Sequence, residues 1–428
     1  MSERYDIIVV GAGPAGIAAA TRAAATGLRV CLADDNPTPG GQIWRRGGTR
    51  SPAAHSWLEK LERVPVDCLQ GCRVFDRPEP GLLRAECSDG CRTLRYGKLI
   101  LATGARERFL PFPGWTLPNI MGAGGLDAMV RGGLPIAGKN VVVAGTGPLL
   151  LAVAAHLARR GAKIVALCEQ ASLCRLISFT LQLLGEPAKL LQGVEYAMAT
   201  HRARFYSSCW PVAAEGIESL ESVTLQQNGK QWRVPCDYLA CGYHLVPNLE
   251  LPALLECRIE DGYVATNQLL ETSTADVYCV GEPTGIGGVE LAVLEGQIAG
   301  LAAAGKTKDA EKLALSRNKK LGFVWALKSV TALDPQLRSM ATDTTIVCRC
   351  EDVSFGTLRM KPSWRDAKLH TRCGMGPCQG RICGAAADFL FGWDSALIQS
   401  NTRPPVFPVR VSSFAPAPTH TSGQREIL

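Results

Sequence analysis

No apolar run in this chain is long enough to cross a bilayer uninterrupted. The longest stretch, Val141 to Ala158, is broken by Gly145, Thr146, Gly147 and Pro148. A strand, a tight turn and a helix account for it better than a span of about 20 apolar residues. The start, MSERYDIIVV, has no charged leader followed by a long apolar core, so no export signal is expected. Basic residues form no patch beyond short pairs such as Arg45 and Arg46, and the net charge of +7 is modest. Nucleic-acid binding is therefore excluded as a main function. Histidine is scarce: among the 6 present, His156, His201, His244 and His370 have no carboxylate close in sequence, and no substrate base is assigned to them. A hydrophobic content of 46% with 20% charged residues excludes a disordered class. At 428 residues the chain exceeds what one core usually supports, so two or three domains are expected. Cysteine is abundant, but the 17 thiols are odd in number and irregularly spread, unlike a secreted disulfide framework. A reducing, cytoplasmic setting follows, with any membrane contact peripheral and made through a partner.

Residues 5 to 34 read as strand, glycine turn, helix and strand, with GAGPAG at the turn. Gly11 permits the tight turn, Gly13 lets a pyrophosphate approach the backbone, and Gly16 lets helix and strand pack closely. The helix N-terminus then faces the phosphates. Asp34 closes the unit at the end of its second strand, where a carboxylate accepts from ribose hydroxyls. A second fingerprint, VVVAGTGPLLLAVAAHLARRGAKIVALCEQ, carries Gly145 and Gly147, has Leu150 where the third glycine would stand, and ends its next strand at Glu169. Three uses stay open for it: a structural adenine nucleotide (ATP or NAD), a working NADH site, or an empty relic. No arginine directly follows Glu169 to read a 2′-phosphate.

Between and after these units, KLILATG ends a strand at Thr103 and Gly104, and VYCVGE ends one at Gly281 and Glu282. Such turns are similar to those of two-dinucleotide, glutathione-reductase-like flavoproteins, which favours FAD as the first nucleotide. Glu282 stands where that superfamily usually has aspartate.

Near the C-terminus, CRCEDV supplies Cys348 and Cys350, and TRCGMGPCQG supplies Cys373 and Cys378. Two close pairs of thiolates suit a [2Fe-2S] cluster, with Gly374, Gly376 and Gly380 allowing backbone N–H groups near sulfur. A zinc site and plain buried thiols are the competing readings. Cys383 is read as a packed core thiol rather than a spare ligand. In the flavin region, Cys68 with Cys72 and Cys87 with Cys91 are spaced too widely for a CxxC redox pair and are read as structural.

The segments PGGQIWR at 39–45, ATGARERFLPFPGW at 102–115, GTGPLLLAVA at 145–154 and the two cysteine motifs together resemble one family. It comprises the flavin and iron-sulfur α subunits of heteromeric dehydrogenases acting on secondary amines and amino acids, including D-hydroxyproline, opine and proline dehydrogenases and hydrogen cyanide synthase. The resemblance implies that Gly40, Gly41, Gln42 and Arg45 lie near FAD, that Gly296 belongs to the helix closing its pocket, and that the four cysteines hold the cluster. It further implies a catalytic β subunit with its own flavin, a small [2Fe-2S] γ subunit, FMN at the subunit interface, and a respiratory acceptor. One departure is the segment between Cys350 and Cys373, which is shorter than expected for such a module.

The expected fold is α/β: an FAD-binding domain from 1–120 and 256–305, a second nucleotide-binding domain from 121–255, a helical linker 306–340, a helical ferredoxin-like [2Fe-2S] domain 341–398, and an extended tail 399–428 rich in proline, serine and threonine and read as an arm over a partner. The expected function is electron relay in oxidation of a cyclic or N-substituted amino acid, cis-4-hydroxy-D-proline first, with opine oxidase or hydrogen cyanide synthase subunits as alternatives. A stand-alone NADH-dependent reductase and a non-conducting nucleotide-bound scaffold are the rivals.

Overall fold

The computed structural model describes residues 3–44, 51–393 and 402–414. Ile7, Ile8 and Val9, each 1% exposed or less, make Glu3–Val10 a strand that is buried on both faces, as parallel sheets require. Val30–Asp34 lies parallel on one side and Gly90–Leu101 on the other, with Val277–Cys279 parallel to the end of the latter. The carboxyl ends of these four strands consequently share one edge of the sheet, the place where open α/β folds bind ligands. Asp34, Thr103 and Gly281 arrive there because each ends or closely follows one of the strands. The far side of Gly90–Leu101 carries the antiparallel strands Leu82–Cys87 and Arg73–Glu79.

Helix Pro14–Ala24 owes its place to small residues. Ala18, Ala19 and Ala20 are fully buried, and helix Val289–Ala303 packs across them because Gly296 and Gly300 lack side chains. A Cβ on Gly296 would stand 2.1 Å from the Ala15 carbonyl oxygen, and one on Gly300 would stand 2.4 Å from that of Ala19.

The second domain repeats the plan. Val141, Val142, Val143 and Ala144 are fully buried in Asn140–Thr146, the central strand of a five-stranded parallel sheet. Leu150, 2% exposed, fills the third-glycine position by packing with Val153, Leu157 and Ile136. A three-stranded antiparallel sheet, Cys209–Glu215, Ser222–Gln227 and Lys230–Pro235, joins Trp210, Val223 and Leu225 to Phe112 and Trp115.

The two domains are connected by an antiparallel pair, Ala105–Glu107 with Leu245–Pro247. The crossing thus lies nearer 105 and 247 than the expected 120 and 255. Strand Ile120–Gly122 is wholly in the second sheet, while Leu251 and Leu255 pack into the first domain's core.

Helix Thr307–Val330 follows, burying Ala326, Leu327 and Val330 and leaving Trp325 on the surface. The cysteine-bearing module folds around Val347, Leu358, Trp364 and Ala367. It is tied to the second domain where the Trp115 indole N–H donates to the Ile346 carbonyl over 2.6 Å. The expected arm over a partner lies, for residues 402–414, on this chain's first domain: Phe414 meets Phe75 edge-on at 5.6 Å and Arg410 pairs with Glu86 at 3.0 Å. Its remainder is outside the described residues. Cys72 and Cys87, read as separate structural thiols, are joined as a disulfide across the antiparallel strands. Among the described residues, no helix is long and apolar enough to cross a membrane.

Candidate functional site

The first glycine turn separates its three glycines by task. A Cβ on Gly11 would lie 2.2 Å from the Ala102 carbonyl oxygen, and one on Gly16 would lie 1.8 Å from that of Gly11. Both glycines are demanded by the fold itself. Gly13 has φ of −74°, open to any residue, and a Cβ there would meet nothing within 4 Å. The space in front of it, at a helix N-terminus, is the kind a pyrophosphate occupies. Asp34, 8% exposed, accepts from the Ala12 N–H at 2.5 Å and the Asn36 N–H at 2.7 Å. Gly40 and Gly41 fold back over the turn: the Gly40 N–H donates to the Ala12 carbonyl at 2.8 Å, and a Cβ on Gly41 would press on Gly13 at 2.8 Å. Gln42 follows on the short helix Gly41–Trp44; Arg45 lies outside the described residues.

At the neighbouring strand end, Glu282 and Glu295 lie close enough to repel each other. Glu295 is 1% exposed and accepts from the Gly281 N–H and the Thr284 hydroxyl, both at 2.8 Å, and from Arg317 at 2.7 Å. The Arg317 charge offsets the cost of burying that carboxylate. Glu282 is pushed up to about 7 by burial first and by Glu295 second, against the N–H groups of Gly288 and Gly287. Its Oε2 is buried without a hydrogen-bond partner. An orphaned acceptor at this spot fits a ligand hydroxyl, such as a flavin's ribityl chain. Sequence reasoning missed Glu295 and Arg317, although an acid beside Gly296 in the largely apolar VELAVLEGQIAG was a signal.

A pH dependence follows. Because Glu282 has a folded pKa raised above the ordinary 4.5, its contribution to stability is complete below that value and is lost as pH rises through about 7. The flavin-free chain should therefore melt at a lower temperature at pH 8 than at pH 6, and Glu282→Gln should reduce that difference. Equal differences in the two proteins, measured by calorimetry, would refute the assignment.

The second glycine turn is built otherwise. Glu169 is 7% exposed and accepts from Thr146, Gly147 and Ala171 at 2.6, 2.8 and 2.9 Å. Gly147 has a φ of +98°, and a Cβ on it would stand 3.0 Å from the Thr331 methyl group. The segment after helix Thr307–Val330 is held there by Gln170, which donates to the Ala332 carbonyl at 3.2 Å and accepts from the Asp334 N–H at 2.9 Å. The open space before Gly13 thus has no equivalent at Gly147.

The cysteine module gathers more thiols than expected. The sulfurs of Cys348, Cys373 and Cys383 lie within 4.8 Å of one another, all in residues 1% exposed or less. Cys383 also reaches Cys378, which in turn meets the exposed Cys350. Cys383, read as a core thiol, therefore belongs to the group. Contacts from Cys373 and Cys383, with the N–H groups of Gly374 and Glu351, hold Cys348 down to about 2 against burial. Cys378 is lowered to about 5, chiefly by Cys383, and Cys373 is raised to about 12 by its contact with Cys348. Cys350 is raised as well, by burial and by the Cys378 thiol against the Cys378 N–H, and Cys383 is raised by its neighbouring thiols. Of the five, only Cys348 and Cys378 are therefore held as thiolates, and the other three would release protons on binding iron or zinc. Gly374 and Gly380 supply N–H groups to sulfur as expected, whereas Gly376 is small for another reason: its Cβ would stand 2.4 Å from that of Cys350.

Among the described residues, His55 meets Glu59 at 2.9 Å on the surface. His156 meets Asp127, a partner that sequence distance concealed. His244 is half-buried and depressed to about 4 by desolvation, with Arg108 adding to it. His201 bonds the Met198 carbonyl at 2.8 Å.

Residues 5–297 match the family described as pyridine nucleotide-disulphide oxidoreductase. Over 96% of its length the chain is 31% identical to an opine oxidase subunit of Rhizobium meliloti (strain 1021), covering 98% of that protein. It is 29% identical to hydrogen cyanide synthase subunit HcnB of Pseudomonas aeruginosa, with 95% of this chain and 97% of that one covered. Among solved structures, the L-proline dehydrogenase from P. horikoshii superposes with a TM-score of 0.70 at 18% identity, over 97% of this chain and 80% of that one.

Proposed function

We propose, from the premise that the chain belongs to the pyridine nucleotide-disulphide oxidoreductase family and to its flavin subunits of amino-acid oxidoreductases, that it is the electron-relaying subunit of a heteromeric dehydrogenase. The substrate class would be a cyclic or N-substituted amino acid oxidised at its C–N bond in a β subunit, cis-4-hydroxy-D-proline first. The observation that carries the reading is the five-thiol group, tied through the Arg106–Arg381 bond to the segment that follows Thr103 and Gly104 in a flavoprotein fold. Bound at these two places, FAD supplies two-electron acceptance and a [2Fe-2S] cluster supplies one-electron steps onward.

The residues of this chain do the holding. Gly13 and the N-terminus of Pro14–Ala24 would take the pyrophosphate, Asp34 the ribose, and Glu282 a ribityl hydroxyl through its unpartnered oxygen. Thr103 and Gly104 line the adjoining strand end. Cys348, Cys350, Cys378 and either Cys373 or Cys383 would hold the irons, because four thiolates suffice for that cluster. Relatives whose names mark them as subunits support a partner. So does the face of Leu173–Gln182 and Pro187–Ala199, where Leu173, Ile177, Leu181, Leu191, Val194 and Met198 are each more than half exposed; apolar faces of that kind are usually covered. Thr331 at Gly147 argues against the stand-alone NADH reductase.

The test is an anaerobic absorption spectrum of the chain alone and with the protein that co-purifies with it. Bleaching by cis-4-hydroxy-D-proline or an opine only when the second subunit is present is expected. Bleaching of the isolated chain by NADH would overturn the reading.

A further inference from the structure

A single chain of hydrogen bonds joins the flavin-side turn to the cysteine loop. It starts at Thr103, whose hydroxyl donates to the Asn248 carbonyl at 2.8 Å, while the Asn248 amide donates back to the Thr103 carbonyl at 2.8 Å. The Asn248 backbone N–H donates to the Gly104 carbonyl at 3.0 Å. Asn248 then accepts on Oδ1 from Arg106 Nη1 at 2.8 Å, and the same nitrogen donates to Glu250 at 2.9 Å. The other arm of Arg106, Nε, donates to the Arg381 carbonyl at 3.0 Å. Arg381 stands between Cys378 and Cys383. Its Nη1 donates to the Cys378 carbonyl at 3.2 Å, and its Nε lies 3.5 Å from Glu250. The tail covers this junction, with Arg381 donating to the Val406 carbonyl at 2.7 Å and lying 4.2 Å over the Phe407 ring.

We infer that Arg106, Glu250 and Arg381 are positioning residues that fix the thiol group against the flavin-side turn, and that residues 406–407 strap the junction shut. This inference rests on the electron-relay reading and names the parts of the chain that set the distance between its two centres. Two guanidiniums converging on one carboxylate form a fixed, planar connection that a lysine, with one point charge, cannot reproduce. Arg106 and Arg381 side chains are one quarter exposed or less, as is Glu250, so solvent screens the arrangement little. Electron transfer falls steeply with separation, and a loosened junction would slow it without disturbing either site's own ligands.

The experiment uses the full chain carrying FAD and iron, with Arg106→Gln, Glu250→Gln and Arg106→Lys. Flavin is reduced by a light flash with excess EDTA as the electron donor, under anaerobic conditions, and bleaching of the cluster is followed; amide exchange at Arg381 and Gly384 is measured in parallel. All three variants are expected to keep wild-type flavin and iron content, to reduce flavin normally, and to slow cluster bleaching relative to the wild-type chain. Faster exchange at the two amides should accompany it. Loaded variants with wild-type transfer and exchange would overturn the inference, as would loss of iron from all three, which would make the residues part of the metal site. A wild-type chain holding FAD without iron would instead overturn the relay reading, and the docking role would then be decided by amide exchange alone.

Discussion

Gly13→Val should give a folded chain that has lost FAD, while Gly16→Val should not fold. The two positions sit in the same motif but face different things. A Cβ at Gly16 would collide with the Gly11 carbonyl at 1.8 Å, in a place fixed by the central strand and the Ala102 turn. Backbone cannot yield there without separating helix Pro14–Ala24 from the sheet. At Gly13 the added side chain meets nothing within 4 Å, and the φ of −74° suits valine. Its cost falls on the ligand, because the isopropyl group would fill the approach to the helix N-terminus. A loss of roughly 100-fold in FAD affinity, ~2.7 kcal/mol, is expected from Gly13→Val, with the flavin-free melting temperature close to wild type. Flavin titration followed by fluorescence, with calorimetry of the stripped chain, checks both halves. If Gly13→Val binds FAD as the wild type does, the glycine turn is not the pyrophosphate site.

How far these sites can be read in the sequence depends on how local their causes are. The Gly11, Gly13, Gly16 and Asp34 constellation is legible because its strand, turn, helix and strand follow one another without interruption from Tyr5 to Asp34. Each glycine reports a local steric demand. The pairing of Glu295 with Arg317 is not legible, since it depends on Val289–Ala303 packing against Thr307–Val330, and neither helix announces its neighbour. Likewise the second glycine turn is recognisable from its sequence, yet three uses stay open there because Thr331, far beyond Gly147 along the chain, is what packs against it. His156 has no carboxylate near it in sequence; Asp127 is carried across by the facing helix. The domain boundaries move for a related reason. The crossing is a two-stranded contact between 105–107 and 245–247, and a short pairing of strands that are distant in sequence leaves little periodicity to detect. Spacing underestimates Cys383 because it ranks thiols by distance from a partner along the chain, whereas helix Cys383–Phe391 begins by turning that sulfur back toward Cys348.

If the thiol group holds the proposed [2Fe-2S] cluster, Cys373→Ser is expected to keep most of the iron and Cys383→Ser to lose it. Cys350 and Cys378 meet each other at the outer side of the group, and Cys348 lies at its inner side. A four-thiolate site must connect these three through one more sulfur. Cys383 touches Cys348, Cys373 and Cys378, and so spans both sides; Cys373 has its close contacts with Cys348 and Cys383 only, the latter at 4.0 Å. Geometry therefore favours Cys383 as the fourth ligand and leaves Cys373 as a neighbour whose thiol hydrogen-bonds a ligand sulfur. Losing that contact should change the cluster's potential more than its occupancy, since hydrogen bonds to sulfur tune potential. Iron and acid-labile sulfide per chain, with a redox titration of each single variant, discriminate the cases. Cys350→Ser and Cys378→Ser should fall with Cys383→Ser. The reverse ranking, iron lost with Cys373 and retained without Cys383, would restore the set Cys348, Cys350, Cys373 and Cys378. Equal retention in both singles with loss only in the double variant would mean that either sulfur can close the site.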